Sequence, residues 1–204
     1  MARRGKASSR LRRRAVAAAT LSVAIAGFVV GVTAMPAGAY NLIGCKEPTT
    51  PNGSLRNISF DYNDLTGYTT LSPNSAADWN ARAAHARFVR VHPGGEVSAG
   101  EVNNGNNGFP GITNFPGGCT NGFFGSGISS TTSRLNTWYG DQNPGNYRYF
   151  VMEHELGHAL GLDHNTSHAS CSTTYLMYPT VDPYFNCGFW WPQSDDVAGV
   201  DSLY

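Results

Sequence analysis

Along residues 55–62 the chain alternates, with Ile58, Phe60 and Tyr62 on one side of an extended backbone and Leu55, Asn57 and Ser59 on the other. A period of two predicts a strand with one face on a core. Residues 75–85 are rich in alanine, with Ser75 placed to cap the first turn and Trp79 and Ala83 at helical spacing, so a helix is expected there. A second short strand, residues 88–91, is stopped by Pro93, Gly94 and Gly95. Residues 97–127 are loaded with Gly, Asn and Phe, a composition of short strands and tight turns whose limits no periodicity fixes. Residues 128–139 carry Ile128, Thr131, Thr132, Leu135 and Trp138 and read as a strand, with residues 141–145 as a turn. From Asn146, placed to cap, to Leu160 the pattern predicts a helix. Phe150, His154 and His158 share one of its stripes while Met152, Leu156 and Leu160 occupy others, which puts the helix through the middle of the domain. After Pro192, residues 194–204 open with Ser194 as N-cap, bring Asp195 and Asp196 into the first turn and space Val197, Val200 and Leu203 helically, as a closing helix does. Strands and helices in this order make the fold class α+β.

The 204 residues balance 14 basic against 14 acidic side chains, but the balance averages two unlike parts. Arg3, Arg4, Lys6, Arg10, Arg12, Arg13 and Arg14 crowd the first residues without an acid; residues 15–34 are uncharged and rich in Ala, Val and Gly. Ala37-Gly38-Ala39 then presents the small residues a signal peptidase needs. Residues 1–39 are therefore expected to be a secretory signal peptide, and residues 40–204 a mature, extracellular domain beginning at Tyr40, with no stable membrane association. An uncleaved anchor is the competing reading, since the apolar run is almost long enough to span a bilayer. Arg12-Arg13 keeps twin-arginine export open beside general secretion. The mature part sets seven basic residues against all 14 acids, which argues against nucleic acid as a partner. All four cysteines also lie there, an even number suited to an oxidising compartment. Of three pairings, Cys171–Cys187 and Cys45–Cys119 are favoured: the first clasps the segment around Met177, the second ties the mature N-terminus to the middle of the chain.

The chemistry concentrates in His154-Glu155-Leu156-Gly157-His158-Ala159-Leu160-Gly161-Leu162-Asp163-His164. Residues four apart share a helix face, so His154 and His158 can reach one metal ion, with Glu155 about 100° round the axis. Gly161 can take a left-handed conformation, end the helix and return the chain so that His164 supplies a third nitrogen. Three protein ligands leave a fourth position on zinc for water, the arrangement of a catalytic site. The bland alternative, a buried amphipathic helix with hydrogen-bonded histidines, gives no reason for a third histidine past a glycine. His85 and His92 read as surface or packed histidines, His168 as surplus to a full ligand set, and Tyr184, Phe189, Trp190 and Trp191 as core rather than a stacking patch.

His-Glu-x-x-His-x-x-Gly-x-x-His, followed by Tyr175-Leu176-Met177-Tyr178-Pro179, is the metzincin signature. With the closing Ser194-Asp195-Asp196-Val197 segment, the chain resembles the matrixins, zinc endopeptidases of the matrix-metalloproteinase type. The resemblance implies a mixed twisted sheet with a buried active-site helix, a Met-turn and a C-terminal helix. It implies one catalytic zinc on His154, His158 and His164, Glu155 as general base, Met177 as an apolar floor, and residues 179–185 lining the pocket for the side chain after the cut. The partner would be an extended peptide or protein, and a monomer is expected. Residues 96–146 depart from the family pattern, having no histidine and few acids, so structural calcium or a second zinc has no support in the sequence. Only a short segment precedes the first strand of the mature part, Cys45 lies outside the family's switch motif, and Asn165 is not the usual matrixin residue after the third histidine. A catalytically silent binding module and a zinc hydrolase of a non-peptide substrate are the alternatives.

Overall fold

The computed structural model describes residues 40–49, 55–167 and 170–204; the expected signal peptide and His168 lie outside them. In chain order the elements are β1 (Asn41–Leu42), β2 (Arg56–Asn63), α1 (Leu71–Arg82), β3 (Ala86–Arg90), β4 (Val97–Val102), β5 (Gly111–Asn114), β6 (Cys119–Thr120) and β7 (Phe123–Phe124). There follow β8 (Thr131–Asn136), α2 (Thr137–Gln142), α3 (Asn146–Ala159), β9 (Leu162–Asp163), α4 (Asp182–Cys187) and α5 (Ser194–Leu203). Alternation in β2 buries Ile58 and Phe60, and a mixed five-stranded sheet forms in the order β3-β2-β4-β8-β5. The first four strands are parallel; β5 runs antiparallel to β8 at the edge. Two short antiparallel pairs, β1 with β9 and β6 with β7, stand apart. No described helix is long and apolar enough to cross a membrane.

Helix α3 packs against α1, β8 and β5, so its apolar sides are covered all round. Met152 and Leu156 are fully buried among Ile58, Val97, Leu135 and Trp79; each such side chain stabilises the fold by about 1.5–3 kcal/mol. Trp79 Nε1 donates to Glu153 O at 3.0 Å, locking α1 to α3. The outer edge of the sheet at β3 is covered: Phe88 N–H donates to Asn80 Oδ1 at 2.7 Å, and Asn80 Nδ2 to Phe88 O at 2.9 Å. Among the described residues the other edge, β5, has no strand beyond it. Both favoured disulfides are present, Cys45–Cys119 and Cys171–Cys187. His92 is exposed beside Asp61, and His85 lies on Asp201, as surface histidines do. Phe189 is buried, and Trp190 and Trp191 pack partly buried against the core.

Several boundaries differ from the sequence expectation, each for a tertiary reason. Helix α1 begins at Leu71, not Ser75, because its first turn is capped from the preceding loop: Asp64 Oδ2 accepts from Ser72 N–H at 3.1 Å. It stops at Arg82, before His85, where Ala84 and His85 N–H turn to Asp201 Oδ1. The strand expected over 128–139 is only β8, with α2 in place of its end and of the first residues of the expected turn; Ile128 is exposed. Asn136 makes this break. Its Oδ1 accepts from Trp138 N–H at 3.2 Å and Asn104 N–H at 3.1 Å, while Nδ2 donates to Gly105 O at 3.0 Å and Phe109 O at 3.2 Å. One amide thus ends a strand, caps a helix and ties down the loop before β5. Gly145, with φ 82°, precedes α3 as its cap residue in place of Asn146. Gln193, boxed with Asp196, caps α5 in place of Ser194.

Two outcomes follow from these contacts. Asn136→Ala removes the cap of α2 and several hydrogen bonds from a buried amide to part-buried partners, each worth about 0.5–1.5 kcal/mol, so urea unfolding should show about 2 kcal/mol of lost stability. Glu47 is fully buried, accepting from Thr131 Oγ1 at 3.1 Å, and burial raises its carboxyl from 4.5 to about 7. Stability carried by the protonated form is fully present below about pH 4.5 and is lost as pH rises through about 7. Glu47→Gln should therefore gain on the wild type by up to about 3 kcal/mol between pH 4.5 and 8, measured by denaturant unfolding at both ends.

Candidate metal centre

Helix geometry sets two of the three imidazoles. His154 and His158 lie four residues apart on α3, and each gives its Nδ1 to a backbone carbonyl: His154 to Leu176 O at 2.7 Å, His158 to Leu162 O at 2.8 Å. A carbonyl only accepts, so Nδ1 carries the hydrogen and Nε2 keeps its lone pair. Past α3 the chain turns at Gly161, φ 99°, where a Cβ would stand 2.6 Å from Cys45 O, so glycine is required both for conformation and for space. Strand β9 then pairs Leu162 with Leu42 and Asp163 with Asn41, and Asn41 Nδ2 donates to His164 O at 2.8 Å. His164 is thereby returned to the helix. Its Nε2 lies 3.2 Å from those of both His154 and His158.

Tetrahedral ligation at metal–nitrogen distances of about 2.0–2.1 Å needs nitrogens about 3.3 Å apart; His164 stands at that spacing from both other rings, and the ligand atoms of all three lie within 4.8 Å of one another, a set able to gather on zinc. Burial holds His154 well below the ordinary imidazole value, takes His158 down to about 4 and lowers His164. All three are neutral at pH 7, as ligation requires. Among the described residues they are the group of His, Cys, Asp and Glu side chains gathered closely enough to hold an ion.

Of two neighbouring glutamates on α3, only one faces the cleft. Glu153 is sealed under α1, where burial and then Asp78 raise its carboxyl to about 10, so it stays protonated. Glu155 lines a cleft of about 490 Å³ together with the three histidines. Burial raises it to about 8, against a hydrogen bond from Thr113 Oγ1 to Oε2 at 2.8 Å; a cation on the histidines opposes that rise further. One wall of the cleft is β5 with Phe109, the other Tyr178 to Val181. Residues 179–181 of the expected pocket segment reach the cleft, whereas 182–185 do not, because the chain turns into α4 at Asp182 and leaves Phe185 exposed.

Met177 is buried and its sulfur lies against α3 where Gly157 has no side chain: a Cβ there would collide with Sδ. The segment is anchored by buried Asp196, whose Oδ2 accepts from Leu176 N–H at 2.9 Å and Gln193 N–H at 2.8 Å, and whose Oδ1 accepts from Met177 N–H at 3.2 Å. Asn165 N–H donates to Met177 O at 2.8 Å, joining the segment after His164 to the same turn. Asp196, Asn41, Gly111 and Thr113 are members that residue patterns do not reveal; only the Gln193–Asp196 spacing carries a local signal, that of a capping box.

Residues 73–204 match the family model of the matrixins, peptidase family M10, and the chain belongs to that family. Membership refers its chemistry to the metalloproteases and implies zinc as the metal. Over 56 residues, 28% of this chain, it is 39% identical to the macrophage metalloelastase of Oryctolagus cuniculus, and the match covers 11% of that protein. Over 59 residues, again 28% of the chain, it is 46% identical to human matrix metalloproteinase-20, covering 10% of it. The chain thus matches about a tenth of the length of these curated relatives. A chain of the GM1-bound ECX AB5 holotoxin aligns with 81% of this one and 88% of its own length at 16% identity and a TM-score of 0.47, a likeness too loose to bear on function.

Gly157→Ala is the direct test of the close approach to Met177. A better helix former gains at most about 1 kcal/mol, against about 1–3 kcal/mol of overpacking, so a net loss is expected in thermal unfolding; an unchanged midpoint would show that Met177 moves aside freely.

Proposed function

We propose that residues 40–204 form a secreted zinc endopeptidase in which His154, His158 and His164 hold one zinc ion and Glu155 is the general base. The observation that carries this reading is the convergence of three unprotonated Nε2 atoms beside an ionisable carboxylate in an open cleft. A zinc ion held by these three histidines would supply Lewis acidity, making a water molecule more acidic and a carbonyl more electrophilic. Glu155 takes the water's proton and passes it to the departing amine nitrogen, so that it ends as it began. The free edge of β5 receives the substrate as an extended strand through main-chain hydrogen bonds, and the apolar wall of Phe150, Val151 and Val181 meets its side chains. In this reading residues 175–179 are the Met-turn, and Met177 is the dry floor under the ligands rather than a ligand.

Residues 1–39 are proposed as the export signal, with Tyr40 as the N-terminus of the protein recovered outside the cell, which mass spectrometry of that protein reads directly. Glu155→Gln should retain one zinc and lose about 10²–10⁴-fold in kcat on casein or a mixed peptide library. His154→Ala, His158→Ala and His164→Ala should each lose the metal together with activity. Stoichiometric zinc in all three, or full activity in the Gln variant, would sink the assignment; one zinc with no cleavage in the wild type would point to a silent binding module.

A further inference from the structure

Glu155 is held by more than its own helix. Thr113 Oγ1 lies 2.8 Å from Glu155 Oε2, 2.8 Å from Glu155 O and 3.0 Å from Ser133 Oγ. Ser133 Oγ in turn donates to Glu155 O at 3.1 Å. With that carbonyl served by Ser133, the one hydrogen of Thr113 is available to the carboxylate. Two residues earlier on the same strand, a Cβ on Gly111 would stand 2.6 Å from Glu155 Oε1 and 2.7 Å from Val151 Cγ1, so any larger residue would displace the carboxylate or Val151 from the places they hold. One oxygen, Oε2, is therefore fastened. The other, Oε1, makes no hydrogen bond within the described residues, and Glu155 belongs to the lining of the cleft.

The main chain of the same two residues has a second use. Pro110 O accepts from Asn136 N–H at 2.8 Å, and the β5–β8 register pairs Ile112 with Arg134 and Thr113 with Ser133. In an antiparallel pair hydrogen-bonded positions alternate with free ones, so 110, 112 and 114 face β8 while the N–H and C=O of Gly111 and Thr113 face outward along the open edge.

We propose that Thr113 is a positioning residue for Glu155: its hydroxyl pins Oε2 so that Oε1 alone is presented to the reacting water. Gly111 supplies the space this requires. The inference rests on the endopeptidase reading, and it places the docking of the substrate main chain and the aim of the base on one two-residue span.

The test compares Thr113→Val, which keeps the shape and removes the hydroxyl, with Thr113→Ser, which keeps the hydroxyl, in the zinc-loaded secreted protein. Valine should lower kcat by about 10- to 100-fold with KM within about twofold and zinc content unchanged, and serine should restore most of the rate. Gly111→Ala should lower kcat in the same way. A valine variant as fast as the wild type, a serine variant as slow as valine, or a change confined to KM would each overturn the proposal. Thermal unfolding supplies a reading independent of turnover. Valine should lower Tm by about 2–4 °C in the wild-type background and by much less in a Glu155→Leu background, where the carboxylate is gone; equal losses in both overturn the pairing. A wild-type protein that cleaves no peptide yet shows this coupling overturns the endopeptidase reading and leaves the pinning of Glu155 supported.

Discussion

Three imidazoles can share one metal ion only if each leaves a nitrogen lone pair free, and here His164 Nε2 lies 3.2 Å from the Nε2 of both His154 and His158. That requirement reaches far beyond the helix that carries two of the rings. Each Nδ1–H of α3 must find a carbonyl, and the two it finds are themselves held: Leu176 O by the turn that Asp196 fastens to α5, and Leu162 O by the pairing of β9 with β1. The N-terminal strand, the turn around Met177 and the closing helix thus meet at the histidines. Outer partners of this kind orient metal ligands and raise their basicity, which explains why a small domain assigns a buried aspartate to so mundane a task as tethering three backbone amides.

Which parts of this were legible in the sequence depends on how local their causes are. The gathering of the three histidines was, because a spacing of four on a helix followed by a left-handed glycine is geometry written in consecutive residues. Both disulfides were too, by the segments they had to clasp. The start of α1 was not, since its cap arrives from Asp64 in the preceding loop. The split of residues 128–139 was hidden because Asn136 acts through five partners, several of them about thirty residues away. Least legible was β5, a four-residue strand in a tract of Gly and Asn without period, although Gly111 and Thr113 stand against Glu155. A strand that owes its shape to its neighbours leaves little trace in its own composition.

The polar interior is unevenly divided around α3. Toward α1, Glu153 is neutralised by burial and takes no part in the cleft. Toward β5, Glu155 keeps one hydroxyl partner and an open side. Two identical side chains, two residues apart, are given opposite characters by the elements that cover them, a division that depends on solvation rather than on residue type.

The two borders of the five-stranded sheet are finished differently. At β3 the outward amide and carbonyl of Phe88, at the middle of the strand, are both taken by Asn80, which interrupts the ladder a newcomer would climb. At β5 the border is bare. Growth of this sheet by a stray strand, whether from a partly unfolded copy or another protein, is therefore steered to one side of the molecule. Under the proposed chemistry that side lies along the blade, so the border most prone to recruit chains is the one that severs them, and runaway strand-by-strand assembly is cut off at its first step.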